Sequence, residues 1–306
     1  MKVTSNKAID IYKYYRDLLT DIYGVEEASS LMAILFEHFV LLKRHEILSG
    51  SARRISESEL LKIHFACKEL LKERPIQYIL GTAWYYGEAF KVTEAVLIPR
   101  PETEELCDWI IKDSNATHKA TSALSILDIG TGSGCIAVML KKNIENVMVT
   151  ALDVSVEALQ VARENAATLN VDINFLQTDI LKNDQWPVAS FDIIVSNPPY
   201  VRESEKELMK PNVLDHEPHL ALFVENENPL VFYDAIARFA LQALSENGKL
   251  YFEINENLYD ELKILLNNLG FNQIECRKDM NNKFRMVRCL LKNKNIQTSK
   301  NQKIKV

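Results

Sequence analysis

The chain has 306 residues, 47% of them hydrophobic and 25% charged, a composition typical of a globular enzyme rather than a disordered segment. Its 36 basic and 42 acidic residues give a net charge of −6, which disfavours general electrostatic binding to long nucleic acid. No run reaches the roughly 18 apolar residues of a membrane span, and the N-terminus lacks a secretory signal. The five cysteines are scattered without metal-site spacing. We therefore expect a cytoplasmic protein that holds no metal and contacts no membrane.

Residues 1–74 are predicted to form a small helical domain. Ser56 and Glu59 match a capping box at the start of one of its helices. Apolar residues recur at helical spacing in an earlier one, namely Ala28, Leu31, Met32, Leu35, Phe36 and Phe39. Proline, glycine and aromatic residues then interrupt the helical period over residues 75–100. We expect a linker hairpin there, with strands at Trp84–Phe90 and Lys91–Ile98.

Residues 101–292 alternate between strand and helix patterns. Two final segments, Phe271–Lys278 and Phe284–Leu291, predict an antiparallel hairpin. The preceding predicted strands are Ser125–Ile129, Met148–Val154, Ile173–Ile180, Phe191–Ser196 and Lys249–Ile254. This alternation predicts an α/β fold with a mostly parallel sheet covered on both faces. The basic tail, residues 293–306, is interpreted as a disordered, solvated end rather than a nucleic-acid-binding arm.

A glycine-rich loop follows the first strand of this region: Gly130-Thr131-Gly132-Ser133-Gly134. Small residues at a strand-to-helix turn allow a ligand to approach the backbone closely. The GxGxG spacing differs from the GxGxxG of dinucleotide sites, and no Gly-Lys-Ser/Thr of a phosphate loop follows. The loop alone is also compatible with a simple turn that binds nothing.

Acidic residues are predicted at the ends of the next two strands. Asp153 is placed to accept hydrogen bonds from both ribose hydroxyls. Asp179, with Ile180 beside it, is placed to accept from an adenine amino group. Each aspartate is equally suited to cap a turn or helix. With the glycine loop, however, they predict a ligand that contains adenosine and no pyrophosphate, which fits S-adenosylmethionine.

The sequence Asn197-Pro198-Pro199-Tyr200 directly follows the strand predicted at Phe191–Ser196. The two prolines fix the backbone and remove two amide donors, which leaves carbonyl acceptors beside the Asn197 side-chain oxygen. A planar NH2 group would find acceptors and an aromatic face there. We predict that Asn197, Pro198 and Tyr200 are catalytic, that Pro199 also contacts the substrate, and that Asn197 also lies beside the methionine end of the cofactor.

In combination these motifs resemble class I S-adenosylmethionine-dependent methyltransferases that act on planar amino groups. More narrowly, the chain resembles the peptide chain release factor glutamine N5-methyltransferases, the PrmC/HemK family. The narrower resemblance depends on Arg74–Gly81 (RPIQYILG), Leu97–Glu104 (LIPRPETE) and the late Lys278-Asp279…Arg285 pattern. At Val224-Glu225 the chain departs from the glycines that are common in the family.

The resemblance implies a class I (Rossmann-like) methyltransferase fold and an N-terminal domain that recognises the release factor. It implies transfer of a methyl group from S-adenosylmethionine to the amide N5 of the glutamine in the Gly-Gly-Gln loop of class I release factors. Arg100, within the second segment, is implied as a substrate-binding residue.

Two alternatives remain open from the sequence. An adenine-N6 or guanine-N2 nucleic-acid methyltransferase would share the NPPY motif, but the net charge of −6 and the lack of a basic recognition segment argue against it. A non-catalytic S-adenosylmethionine-binding regulator would need no acceptor pocket for an amino group, so the intact NPPY motif argues against that class.

Overall fold

The computed structural model describes residues 5–49, 52–117, 123–182, 186 and 189–291. The chain divides into two compact units, one made of residues up to Leu80 together with Pro211–His216, and the other of Gly81–Lys210 and the chain from Glu217 onward. The sequence boundary at residue 74 precedes the structural one, which comes only after a further short helix. The predicted tail, residues 293–306, lies outside the described residues.

The first unit is helical. It contains α1 (Ala8–Val40), α2 (Arg44–Leu48), α3 (Glu57–Leu70), α4 (Ile76–Leu80) and, later in the chain, α8 (Pro211–Leu214). The predicted capping box is confirmed: Ser56 Oγ accepts from the Glu59 N–H at 3.3 Å, and Glu59 Oε2 accepts from the Ser56 N–H at 2.7 Å. The apolar stripe of α1 packs into the core of this unit, with Met32, Leu35 and Phe36 fully buried.

The second unit is built on a seven-stranded sheet. Its strands are β3 (Leu124–Ile129), β4 (Val147–Asp153), β5 (Asn174–Gln177), β6 (Phe191–Ser196), β9 (Leu244–Glu253), β10 (Phe271–Lys278) and β11 (Phe284–Leu291). They lie in the order β10-β11-β9-β6-β3-β4-β5. The five from β9 to β5 are parallel, and β11 pairs antiparallel with both β9 and β10. The predicted mostly parallel sheet with a final antiparallel hairpin is therefore confirmed.

Helices cover both faces of this sheet. They are α5 (Pro101–Thr117), α6 (Cys135–Asn143), α7 (Val156–Thr168), α10 (Val231–Ala243) and α11 (Tyr259–Leu269). The unit also contains the short helix α9 (His219–Leu222). Successive residues of β3 point to opposite faces, so Ile126 joins the core beneath Trp109 of α5, and Leu127 joins the core beneath Phe239 of α10. Strands buried on both faces explain the nearly continuous apolar runs in the sequence.

The structure corrects the predicted linker hairpin. Its strands are β1 (Thr82–Tyr85) and β2 (Glu88–Lys91), joined by a two-residue turn at Tyr86 and Gly87. Both turn residues have positive φ, 52° and 80°, as tight hairpins prefer. A tyrosine is unusual in that conformation, so the turn had no clear signal in the sequence. A two-stranded pair formed by β7 (Val201–Arg202) and β8 (Phe223–Val224) completes the unit.

Within the described ranges, no helix is both long and apolar enough to cross a membrane.

Candidate active site

A cavity of about 330 Å³ lies at the carboxyl ends of the parallel strands of the second unit. Four strand ends contribute to its lining: Gly130 follows β3, Asp153 ends β4, Thr178 follows β5 and Asn197 follows β6. Ligands of open α/β sheets bind at this edge, because the loops that leave parallel strands meet there. The volume lies in the range of small-molecule sites, roughly 300–1,000 Å³.

The predicted glycine loop forms one wall of the cavity, with all five residues from Gly130 to Gly134 in the lining or directly beside it. Gly134 occupies the N-cap position of α6 with φ +80°, in the left-handed region. A Cβ atom there would lie 3.0 Å from the Cβ of Ala162 on α7. This position therefore requires glycine for two reasons, its backbone conformation and the close approach of a second helix.

Replacing Gly134 with alanine is expected to lower the free energy of unfolding by at least about 2 kcal/mol, from left-handed strain and overpacking together. Gly132→Ala is the matched control: its φ is also positive, +55°, but a Cβ there would meet nothing within 4 Å. Urea denaturation of both variants measures the difference. Equal destabilisation would show that the contact with Ala162 does not matter.

Asp153 connects the cavity to the glycine loop. Its Oδ2 accepts from the Gly132 N–H at 2.9 Å, and its Oδ1 accepts from the Ser155 N–H at 3.0 Å. Burial raises the pKa of this carboxyl, and the backbone N–H donors partly offset that rise. The aspartate therefore performs the capping role and also presents a carboxylate to the cavity.

Asp179 and Ile180 line the cavity as well. Asp179 Oδ1 accepts from the Leu181 N–H at 3.0 Å, and its other oxygen pairs with Lys182 Nζ at 3.2 Å. As at Asp153, the turn-capping function and a position on the cavity wall coexist in the same side chain.

Three residues of the NPPY motif line the same cavity as Asp153. Ser196 ends β6, and its buried hydroxyl donates to the Ile129 carbonyl oxygen at 2.7 Å, which ties this strand end to the glycine loop. Asn197, Pro198 and Pro199 all line the cavity. The Asn197 amide donates from Nδ2 to Thr103 Oγ1 at 3.3 Å and so leaves Oδ1 available as an acceptor.

The structure places the Tyr200 hydroxyl against a buried carboxylate. Tyr200 is absent from the cavity lining, its ring packs against the core on the α10 side of the sheet, and its hydroxyl donates to Glu253 Oε1 at 3.0 Å. Burial and the Glu253 carboxylate raise the pKa of its phenol above the ordinary value. The predicted contact between the Tyr200 ring and a substrate amide stays a prediction.

Arg100 lines the cavity as half of an ion pair. Its guanidinium contacts Glu217 Oε1 at 2.5 Å, and only 1% of the Glu217 side chain is exposed. Glu217 Oε2 also accepts from the Ile98 N–H at 3.3 Å. Glu217 therefore anchors the segment that carries Arg100, a function that no sequence pattern indicated.

Thr103 and Glu253 are site residues that the sequence reasoning missed. Thr103 lines the cavity, Glu253 is 1% exposed at the end of β9, and Thr103 Oγ1 donates to Glu253 Oε2 at 2.6 Å. Burial raises the pKa of the Glu253 carboxyl against the opposing effects of its hydroxyl donors and Arg285. The available signal was a lone glutamate in the apolar run Leu250–Ile254.

Comparison with known proteins follows the same division of the chain. Residues 10–81 match the PrmC N-terminal domain, and residues 115–216 match the methyltransferase small domain. The release factor glutamine methyltransferase of Flavobacterium psychrophilum is 45% identical over 270 residues, covering 88% of this chain and 94% of that protein. The chain belongs to the release factor glutamine methyltransferase family.

A second relative, the release factor glutamine methyltransferase of Bacteroides thetaiotaomicron, is 41% identical over 277 residues, or 90% of this chain and 98% of that protein. The catalytic domain of hMettl16, solved with MAT2A 3′UTR hairpin 6, has a TM-score of 0.53 at 16% identity and covers 81% of this chain and 87% of its own. This likeness supports the methyltransferase fold. The fold and family expected from the sequence are thus confirmed.

The chain is a methyltransferase of the S-adenosylmethionine-dependent kind, and its cavity fits that cofactor. The glycine loop leaves room at the backbone, and two carboxylates, Asp153 and Asp179, line the cavity near the ends of neighbouring strands. Such carboxylates suit ribose hydroxyls and an adenine amino group.

Proposed function

We propose that this chain transfers a methyl group from S-adenosylmethionine to the side-chain amide nitrogen N5 of the glutamine in the Gly-Gly-Gln motif of class I release factors. One observation carries the proposal: Asn197 and Pro198 line a cavity that is also lined by the glycine loop and Asp153. The names of the relatives supply the release factor as substrate class.

The target amide nitrogen is a poor nucleophile, because its lone pair is delocalised into the carbonyl group. The cofactor, when bound, supplies a methyl group on a cationic sulfonium, so a strong leaving group accompanies a weak nucleophile. The chain must hold the amide in line, and such positioning is worth roughly 7–11 kcal/mol at best. Asn197 Oδ1 and the Pro198 carbonyl oxygen are proposed to accept the two amide N–H groups. Both acceptors also stabilise positive charge that develops on nitrogen.

On the cofactor side, the residues proposed to bind are Gly130, Thr131, Gly132, Ser133, Gly134, Asp153, Asp179, Ile180 and Asn197. Asp153 uses one lone pair of each oxygen on a backbone N–H and keeps others for ribose hydroxyls. Asp179 accepts from the adenine amino group, and Ile180 provides an apolar contact beside it.

Asp153→Ala is expected to weaken S-adenosylhomocysteine binding by roughly 10- to 100-fold, the loss typical of hydrogen bonds to a charged group. Asp153→Asn keeps one acceptor oxygen and should lose less affinity. Titration calorimetry measures both affinities, and urea denaturation separates them from the capping function. If the alanine variant is destabilised but binds S-adenosylhomocysteine with unchanged affinity, Asp153 only caps the turn and does not bind the cofactor.

The helical first unit is proposed to recognise the release factor, because the catalytic cavity accommodates only the loop that carries the glutamine. A methyl-labelling assay with purified release factor, DNA and RNA offered side by side tests the substrate assignment. Label in the release factor glutamine is the expected result. Label in nucleic acid, and none in protein, would overturn the proposal in favour of a nucleic-acid amino methyltransferase.

The proposed location is the cytoplasm. All five cysteines are free thiols, and four of them are buried. Unpaired cysteines are typical of a reducing compartment.

A further inference from the structure

The Asn197 amide is the outer end of a buried chain of hydrogen bonds. Asn197 Nδ2 donates to Thr103 Oγ1 at 3.3 Å, and Thr103 Oγ1 donates to Glu253 Oε2 at 2.6 Å. The second carboxylate oxygen of Glu253 accepts from the Tyr200 hydroxyl at 3.0 Å. Thr103 and Glu253 are 3% and 1% exposed, so water does not substitute for these partners.

Other contacts hold the two inner members of this chain in place. The Tyr85 hydroxyl donates to the Thr103 carbonyl oxygen at 3.0 Å, and the Tyr233 hydroxyl donates to the Glu253 carbonyl oxygen at 3.1 Å. Glu253 is also paired with Met286 in the sheet. The backbone of both residues is therefore held in place by hydrogen bonds.

The direction of each hydrogen bond follows from the donors available. A threonine hydroxyl has one proton, and here Glu253 Oε2 accepts it, while the other carboxyl oxygen accepts from Tyr200. Towards Asn197, Thr103 Oγ1 can therefore only accept. An asparagine amide rotated by 180° would place its own oxygen against that acceptor, and it would lose a hydrogen bond and gain a repulsion.

We propose that Thr103 and Glu253 are positioning residues that hold the Asn197 amide in one of its two orientations, and that this orientation selects glutamine over glutamate as the target side chain. The inference rests on the proposed function. With Nδ2 committed to Thr103, Oδ1 is the atom left for the substrate, and an acceptor at that point suits an NH2 group. A glutamate carboxylate would need the opposite orientation, with Nδ2 as donor, and Glu253 disfavours it through Thr103.

The test replaces Thr103 with valine, which keeps the shape of the side chain and removes the hydroxyl. In this variant the substrate glutamine can still hold the Asn197 amide in the correct orientation through its own hydrogen bond. The kcat on the natural release factor should therefore fall only a few-fold. Glutamate no longer needs to overcome the fixed orientation. We compare the ratio of two inhibition constants, that of a Gly-Gly-Glu release factor divided by that of a Gly-Gly-Ala factor. This ratio should decrease by roughly tenfold, which corresponds to about 1.4 kcal/mol.

Two variants control for structural damage. Thr103→Ser restores the hydroxyl and should restore the wild-type ratio of inhibition constants. Tyr233→Phe removes the hydrogen bond to the Glu253 carbonyl oxygen, while the pairing with Met286 in the sheet still holds that backbone and the carboxylate keeps its partners, so the ratio should stay unchanged. S-adenosylhomocysteine affinity, measured by calorimetry, verifies that each variant has a folded site.

Glu253→Gln provides a second route if Thr103→Val fails to fold. It keeps the side-chain volume and removes the charge that holds the Thr103 proton, so the ratio should shift in the same direction. An unchanged ratio in either folded variant would overturn the positioning role. If the wild-type chain leaves the release factor unlabelled, the proposed function fails instead, so the two failures are distinguishable.

Discussion

A release factor with glutamate in place of the Gly-Gly-Gln glutamine is expected to be methylated at least ~10⁴-fold more slowly than the natural factor. The glutamate carboxylate offers only oxygen lone pairs to a site that presents acceptors, Asn197 Oδ1 and the Pro198 carbonyl oxygen. Sites that recognise an NH2 or OH group can reject an analogue lacking the donor by ~10⁴–10⁵-fold, because the buried acceptors are left unpaired.

Single-turnover transfer of a labelled methyl group, with both factors at saturating concentration, measures this ratio. A Gly-Gly-Asn factor is the appropriate control, since it keeps the amide and shortens its reach by one methylene. Comparable transfer to the glutamate and glutamine factors would show that the site does not recognise the amide through two acceptors. It would not contradict methylation of the natural factor.

Asn197→Ala is expected to lower the single-turnover rate by roughly 10²–10³, the usual effect of removing one preorganised polar contact from a transition state. The side-chain oxygen is one of two proposed acceptors, and its effect grows as charge develops on the substrate nitrogen. Affinity for the whole release factor should change little, because most of the contact area would lie outside the cavity. Cofactor affinity should fall modestly.

Asn255→Ala is a matched control for this substitution. Asn255 also follows a strand end, and its Nδ2 donates to the Tyr200 carbonyl oxygen at 3.2 Å, but it does not line the cavity. Its loss should reduce stability more than transfer. If Asn197→Ala transfers at the wild-type rate, the NPPY motif is structural; if release factor binding collapses while the rate per bound complex holds, Asn197 is a docking residue.

The central strands β3, β4 and β6 were predictable because each carries a short apolar run. The predicted bounds of β6, β10 and β11 agree with the structure, since burial on both faces or pairing at the edge requires those residues. The hairpin at residues 82–91 was misplaced, because its turn uses Tyr86 at φ 52° instead of a residue typical of such turns. Hydrophobic periodicity predicts which residues are buried. It does not predict a turn that the surrounding packing imposes.

The sequence by itself determined which strand ends line the cavity. The glycine loop and the NPPY motif directly follow strands, Asp153 ends a strand, and Asp179 lies two residues after one. The carboxyl ends of parallel strands necessarily meet at one edge of a sheet. The local sequence pattern and the fold class are therefore enough to predict that these residues lie close together, without knowledge of their side-chain contacts.

Only the tertiary structure decided where those side chains point and which distant residues hold them. Tyr200 turns towards Glu253 rather than the cavity, Arg100 pairs with Glu217, and Thr103 supports Asn197 across a separation of 94 residues. Each of these partners comes from another part of the chain, and a buried polar group takes whichever complementary group packing brings within reach. Spacing along the sequence does not predict those pairings, because they depend on how α5, β6 and β9 pack in the folded unit.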